Sequence, residues 1–99
     1  MYAELQSLVD HGQPVALATI VRTRGSTPRE VGAQMLIKAD GSTIGTIGGG
    51  CGEADVWSEA MEALRDGNPR LLDVDLLHDQ DIEGGRACGG IMTVFIEPV

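Results

Sequence analysis

The stretch Thr43-Ile44-Gly45-Thr46-Ile47-Gly48-Gly49-Gly50-Cys51-Gly52-Glu53-Ala54-Asp55-Val56-Trp57 decides how this chain of 99 residues is read. A short run with strand character meets a cluster of glycines, and beyond them the period of the pattern changes. Trp57, Ala60, Met61 and Leu64 recur at helical spacing, with Glu59, Glu62 and Asp66 on the other side, until Gly67 and Pro69 close the helix. A strand therefore leads through a glycine loop into a helix. Upstream, Asp40-Gly41 separates Gln34–Lys38 from Thr43–Ile47, and an Asp-Gly pair between two strand-like runs signals an antiparallel hairpin.

Further out the chain is simpler. Val15–Val21 is a continuous apolar run that predicts a strand buried on both faces and ending at the arginines. Before it, Tyr2, Leu5, Leu8 and Val9 fall near helical spacing, and Gly12 and Pro14 stop that helix. After the central helix, Leu72, Val74 and Leu76 alternate with Asp73 and Asp75, which predicts a strand with one wet face, and Ile91–Ile96 is a last, more buried strand. Between these two lies His78–Gly90, a polar, glycine-rich loop long enough to point to function. The expected fold is α+β: a single small domain over residues 1–99, with two helices and a mixed or antiparallel sheet of about five strands. A parallel crossover after the Glu53 helix is compatible with this order.

Composition bounds the function. Apolar residues make up 42% and charged residues 22%, ordinary for a globular chain, whereas 14 glycines are about twice the usual share. The net charge is −8, and all of it comes from the second half. Residues 1–50 balance Arg22, Arg24, Arg29 and Lys38 against Glu4, Asp10, Glu30 and Asp40. Such a balance repels nucleic-acid phosphates and anionic lipid, and the acidic half suits a protein partner. Arg22, Arg24 and Arg29 form the one basic cluster, fit for a single anionic small molecule. The apolar runs are too short to span a bilayer and Met1-Tyr2-Ala3-Glu4 has no basic leader region, so a cytoplasmic protein is expected. There the two cysteines are expected to be free thiols.

Several motifs fail on inspection. Gly48-Gly49-Gly50-Cys51-Gly52-Glu53 does not give G-x-G-x-x-G in any register, and Lys38 is too far from the glycines for a Walker A loop. Asp79–Gly84 imitates the start of a calcium loop, but Gly90 stands where a bidentate carboxylate is needed. His11 and His78 have no second ligand at metal spacing. What survives is Gly48, Gly49, Gly50 and Cys51 at a helix start. Backbone amides there favour an anion, and the same amides stabilise a thiolate that acts as nucleophile or soft metal ligand; Glu53 and Asp55 oppose the effect. The other reading is a small buried cysteine in a tight turn. Gly25-Ser26-Thr27-Pro28-Arg29 offers hydroxyls and a guanidinium to phosphate, or is an ordinary Ser/Thr-Pro turn. Cys88 serves either packing or as a partner thiol to Cys51.

Taken together, GSTPRE at 25–30, DGSTIGTIGGGCGE at 40–53, LRDGNPRLL at 64–72 and ACGG at 87–90 resemble the XdhC/CoxI family over nearly the whole chain. The resemblance implies a maturation factor for molybdenum hydroxylases such as xanthine dehydrogenase or carbon monoxide dehydrogenase, and not an enzyme. It maps the family's glycine-glycine-cysteine motif onto Gly49, Gly50 and Cys51, and its Gly-Ser-x-Pro-Arg motif onto residues 25–29. The implied ligand is molybdenum cofactor, bound transiently. Cys51 is expected to meet the metal or relay sulfur, with Gly48, Gly49 and Gly50 holding oxygens and Ser26, Thr27 and Arg29 neutralising phosphate; Cys88 is a further candidate. The implied partners are an apo molybdenum hydroxylase, a cysteine desulfurase, or a separate Rossmann chain standing in for the C-terminal domain that full-length relatives add. Self-association is compatible with this. Two other readings stay open: an assembly subunit that never touches cofactor, and a small thiol or persulfide relay protein. Two departures from the family are expected to matter: no C-terminal Rossmann domain is expected beyond the domain of residues 1–99, and Arg86-Ala87 stands where a glycine often precedes the second cysteine.

Overall fold

The computed structural model describes residues 2–25, 27, 29–47, 52–76 and 90–99, apart from the Tyr2 side chain. Helix α1 (Tyr2–Asp10) is followed by strands β1 (Val15–Arg24), β2 (Gln34–Lys38) and β3 (Thr43–Gly45), helix α2 (Glu53–Asp66), and strands β4 (Arg70–Asp75) and β5 (Ile91–Pro98). The strands form one sheet in the order β3-β2-β1-β5-β4, with every neighbouring pair antiparallel. The α+β expectation holds, and the sheet is antiparallel rather than mixed. Helix α2 does join two strands of the same direction, but β3 and β4 are opposite edges of the sheet, so no parallel pair results.

The hairpin forms where Asp40-Gly41 places it. Gly41 adopts φ 89, a left-handed conformation open to glycine. The Asp40 carboxylate accepts hydrogen bonds from the Ser42 hydroxyl at 2.6 Å and the Ser42 amide at 2.9 Å. These bonds hold its pKa below the usual carboxylate range.

One face of the sheet carries the core. Ala16, Ala18 and Ile20 of β1, Met35 and Ile37 of β2, Val74 of β4, and Met92, Val94 and Ile96 of β5 pack with Val56, Ala60 and Ala63 of α2, all buried. Alanines on both sides let the helix approach the sheet closely. The buried stripe of α2 is rotated from the expected one: Met61 and Leu64 flank the core, and Trp57 is 39% exposed. Its ring packs against the hairpin instead, where the indole N–H donates to the Gly41 carbonyl at 2.8 Å.

Strand β1 also differs from expectation. It runs on through both arginines, and its second face is only partly covered: Leu17 and Thr19 are half-buried, while Val15 and Leu36 on that face are fully buried. Helix α1 lies toward the β2–β3 side of this face, where Ala3, Glu4, Ser7 and Leu8 line a hollow with Lys38 and Ile44. Between Ile20 and Arg22 the register shifts, because Val21 is an extra residue opposite β5. Ile20 pairs with Val94 on the core face, yet Arg22 pairs with Thr93 and Arg24 with Ile91 on the other face. Without that bulge, strict alternation would carry both guanidinium groups toward the core.

Candidate functional site

Strand polarity gathers the motifs. β1, β3 and β4 run in one direction and β2 and β5 in the other, so the segments 25–33, 46–52 and 76–90 all leave the same end of the sheet. The opposite end holds the short turns at 11–14, 39–42 and 67–69. The register at the first end is direct: Ile91, the first residue of β5, lies between Arg24 at the end of β1 and Asp75 at the end of β4.

The stems of two of these loops touch. Ile47 is fully buried, and the Thr46 hydroxyl donates to the Glu53 carboxylate, so the residues on either side of 48–51 are tied to each other. Gly52 then enters α2 at φ 72, in left-handed conformation. A Cβ there would lie 2.5 Å from Val74 Cγ1 and 3.0 Å from Leu76 Cδ2, so only glycine lets this backbone lie flush on β4. Leu76, fully buried, donates its amide to the Gly90 carbonyl at 2.9 Å and closes the stem of 77–89. The glycine–cysteine segment and the loop carrying ACGG therefore spring from one packed junction of Gly52, Val74, Leu76 and Gly90. Sequence reasoning noticed neither Thr46 nor the packing role of Gly52, and gave Glu53 only an opposing charge. A threonine and a glutamate flanking a glycine run were the available signal.

Of the expected site residues, Thr27 and Arg29 belong to the described part, whereas Gly48, Gly49, Gly50, Cys51, Ser26 and Cys88 lie outside it. The Thr27 hydroxyl donates to the Arg29 carbonyl at 2.9 Å, a local turn that spends its proton. Arg29 is exposed, with no ion pair among the described residues. Of the basic trio, Arg22 and Arg24 line a concavity on the sheet face away from α2, and Arg29 is not among its lining residues. His11 is exposed and its Nδ1 lies 2.7 Å from the Ser7 carbonyl oxygen, a local contact at the end of α1. Among the described residues no group of His, Cys, Asp and Glu side chains could hold a metal ion, and no helix is long and apolar enough to cross a membrane.

At the opposite end the charges around the end of α2 and the start of β4 are paired with one another. Arg70 donates to Asp66 at 2.6 Å and to Glu59 at 3.2 Å, and Arg65 pairs with Glu62. Hydrogen bonding to Arg70 holds the Asp66 carboxyl below its usual range.

With this geometry in place, comparison with known proteins settles the family. The model of the XdhC and CoxI family matches residues 8–75. The chain belongs to the XdhC and CoxI family. It is 45% identical over 96 residues to YqeB of Escherichia coli K12, an uncharacterised protein, covering 97% of this chain and 18% of that one. A probable xanthine dehydrogenase subunit from Bacillus subtilis is 37% identical over 98 residues, with 96% and 29% covered. The molybdenum cofactor insertion chaperone PaoD of E. coli K12 is 41% identical over 61 residues, with 62% and 19% covered. The crystal structure of a xanthine dehydrogenase from Bacillus halodurans superimposes with a TM-score of 0.82 at 35% identity, covering 98% of this chain and 30% of that one. The chain thus spans less than a third of the length of these relatives.

Proposed function

We propose that the chain binds molybdenum cofactor and serves the maturation of a molybdenum hydroxylase of the xanthine or carbon monoxide dehydrogenase type, without catalysing the hydroxylation itself. The cofactor is its cargo, a pyranopterin that carries phosphate and a dithiolene-bound molybdenum. The observation that carries this reading is the junction at one end of the sheet, where the stems of 48–51 and 77–89 pack together beside the end of β1. A cargo offering a metal, oxygens and a phosphate needs a soft donor, amides and cations within one reach. In this reading the Cys51 thiolate faces the molybdenum, the Gly48, Gly49 and Gly50 amides hold oxygens, and Arg29 meets phosphate from the loop shared with Ser26 and Thr27; Cys88 approaches from the neighbouring loop. The names carried by the matching relatives, a cofactor insertion chaperone and a xanthine dehydrogenase subunit, support the same class of cargo and client.

The acidic second half faces the protein partner, an apo-hydroxylase or a cysteine desulfurase, in the cytoplasm. A separate Rossmann-domain chain, or a second copy of this one, completes the assembly where the client requires it. The test is anaerobic binding of molybdenum cofactor to the wild-type chain and to Cys51→Ser, with molybdenum quantified in the protein fraction. Stoichiometric retention by the wild type and its loss in Cys51→Ser is the expected result. Equal retention by both would remove Cys51 from the site, and retention by neither would remove the cofactor from the proposal.

A further inference from the structure

We propose that Arg22, Arg24 and Asp73 form a binding site for a small, hydroxylated phosphate ester on the sheet face away from α2. The two arginines are brought there by the Val21 bulge, which turns both side chains out of the core and onto a single face. There they line a concavity of about 310 Å³ with Leu71, Asp73, Ile91 and Thr93, at the lower end of the roughly 300–1,000 Å³ range of small-molecule sites. Neither guanidinium has an ion pair among the described residues, although the chain carries a net charge of −8 and the described Arg65 and Arg70 are both paired with carboxylates; of the other described arginines, only Arg29 is likewise without one.

The carboxylate among the lining residues, Asp73, explains what else the ligand must carry. Asp73 lies across β5 from Arg22, with Thr93 between them in register, and it accepts the Thr93 hydroxyl at 2.6 Å rather than either guanidinium. A bare anion gains the two arginines and is repelled by Asp73. A phosphate ester with hydroxyl groups on its carbon skeleton gains the arginines, donates a hydroxyl to Asp73, and lays its carbons on Leu71, which is 66% exposed, and Ile91. The proposal rests on described side chains of the sheet alone and stands apart from the cofactor reading of the Cys51 loop.

The experiment is a titration of the whole chain with ribose 5-phosphate, followed through backbone amide resonances, with ribose and inorganic phosphate as parallel probes. Saturable shifts at Arg22–Arg24, Leu71–Asp73 and Ile91–Thr93 with ribose 5-phosphate are expected, weaker with inorganic phosphate and absent with ribose. Arg22→Gln and Arg24→Gln should each raise Kd about tenfold, as expected for loss of one charge-assisted contact, and Arg65→Gln, on the helix at the other face of the sheet, should leave it unchanged. Both substituted side chains are exposed, and the amide spectrum of each variant reports retention of the fold. Absence of saturable shifts, an unchanged Kd in both variants, or loss of binding in Arg65→Gln would overturn the proposal. Tighter binding of inorganic phosphate than of the ester would overturn the role given to Asp73.

Discussion

The two faces of the sheet are built from the same strands and serve opposite ends. Under α2 the face is closed: nine strand side chains and three from the helix are buried together, and burial at about 25 cal/mol per Å² makes this layer the main source of stability. On the other face α1 shelters the β2–β3 side, while toward β4 and β5 the surface stays open around Leu71, Thr93 and the two arginines. One face keeps water out and the other leaves polar groups able to meet a ligand. The lesson is that stability and recognition are divided by side chain parity along each strand, with few residues serving both.

The sharpest way to break this contrast is to truncate one side chain on each face. Ile96→Ala removes a fully buried residue of β5 and should cost about 2–5 kcal/mol of unfolding free energy, whereas Leu71→Ala on β4 should stay within about 0.5 kcal/mol. Denaturant titrations of the pair giving similar losses would mean the open face is covered in solution. A narrower test compares two glycines in the same left-handed conformation. Gly52→Ala drives a methyl into Val74 and Leu76 and should cost about 2–4 kcal/mol. Gly67→Ala has nothing within 4 Å of the new Cβ and should cost only about 1–2 kcal/mol from its φ of 75. Equal thermal shifts would show that the junction at Gly52 yields.

The smallest effect concerns polar contacts at the rim of the closed face, where Arg70 links α2 to β4 through Asp66. Because the folded Asp66 carboxyl titrates below its ordinary range, its contribution is present at pH above that range and fades as pH falls through the folded value. Asp66→Asn should therefore lower stability slightly near neutrality and not at all at the acid end, in melting curves measured across pH. An exposed pair of this kind is screened, so added salt should shrink the difference further. A loss as large as that of Ile96→Ala would contradict the apolar origin of the layer's stability.

How much of this was legible varies with the range of the interaction. The hairpin was readable because Asp40 and Gly41 set their own turn within four residues. Helix α2 was readable from its period and its closing Gly67, but the facing was misjudged at Trp57, since an indole has both an apolar body and a donor and settled on the hairpin carbonyl. Sheet order was not readable: β5 enters between β1 and β4 through pairings that join distant parts of the chain, and no local signal announces them. For the candidate site, Gly48–Cys51 and residues 25–29 stood out as motifs, yet their common end of the sheet follows only from strand direction. The packing of Gly52 on Val74 and Leu76 depends on β4, which the glycine run itself does not encode.

Val21 has a wider consequence. In an extended chain, odd and even positions are two separate messages, and one additional residue exchanges them for everything downstream until the strand ends. The tail of β1 is therefore written in the opposite phase to its beginning, and a relative lacking that residue would assign its arginines to the hydrophobic message. Comparisons of sequences across this point are meaningful only when the phase is carried with them, because identical letters on the two sides of Val21 describe different chemistry.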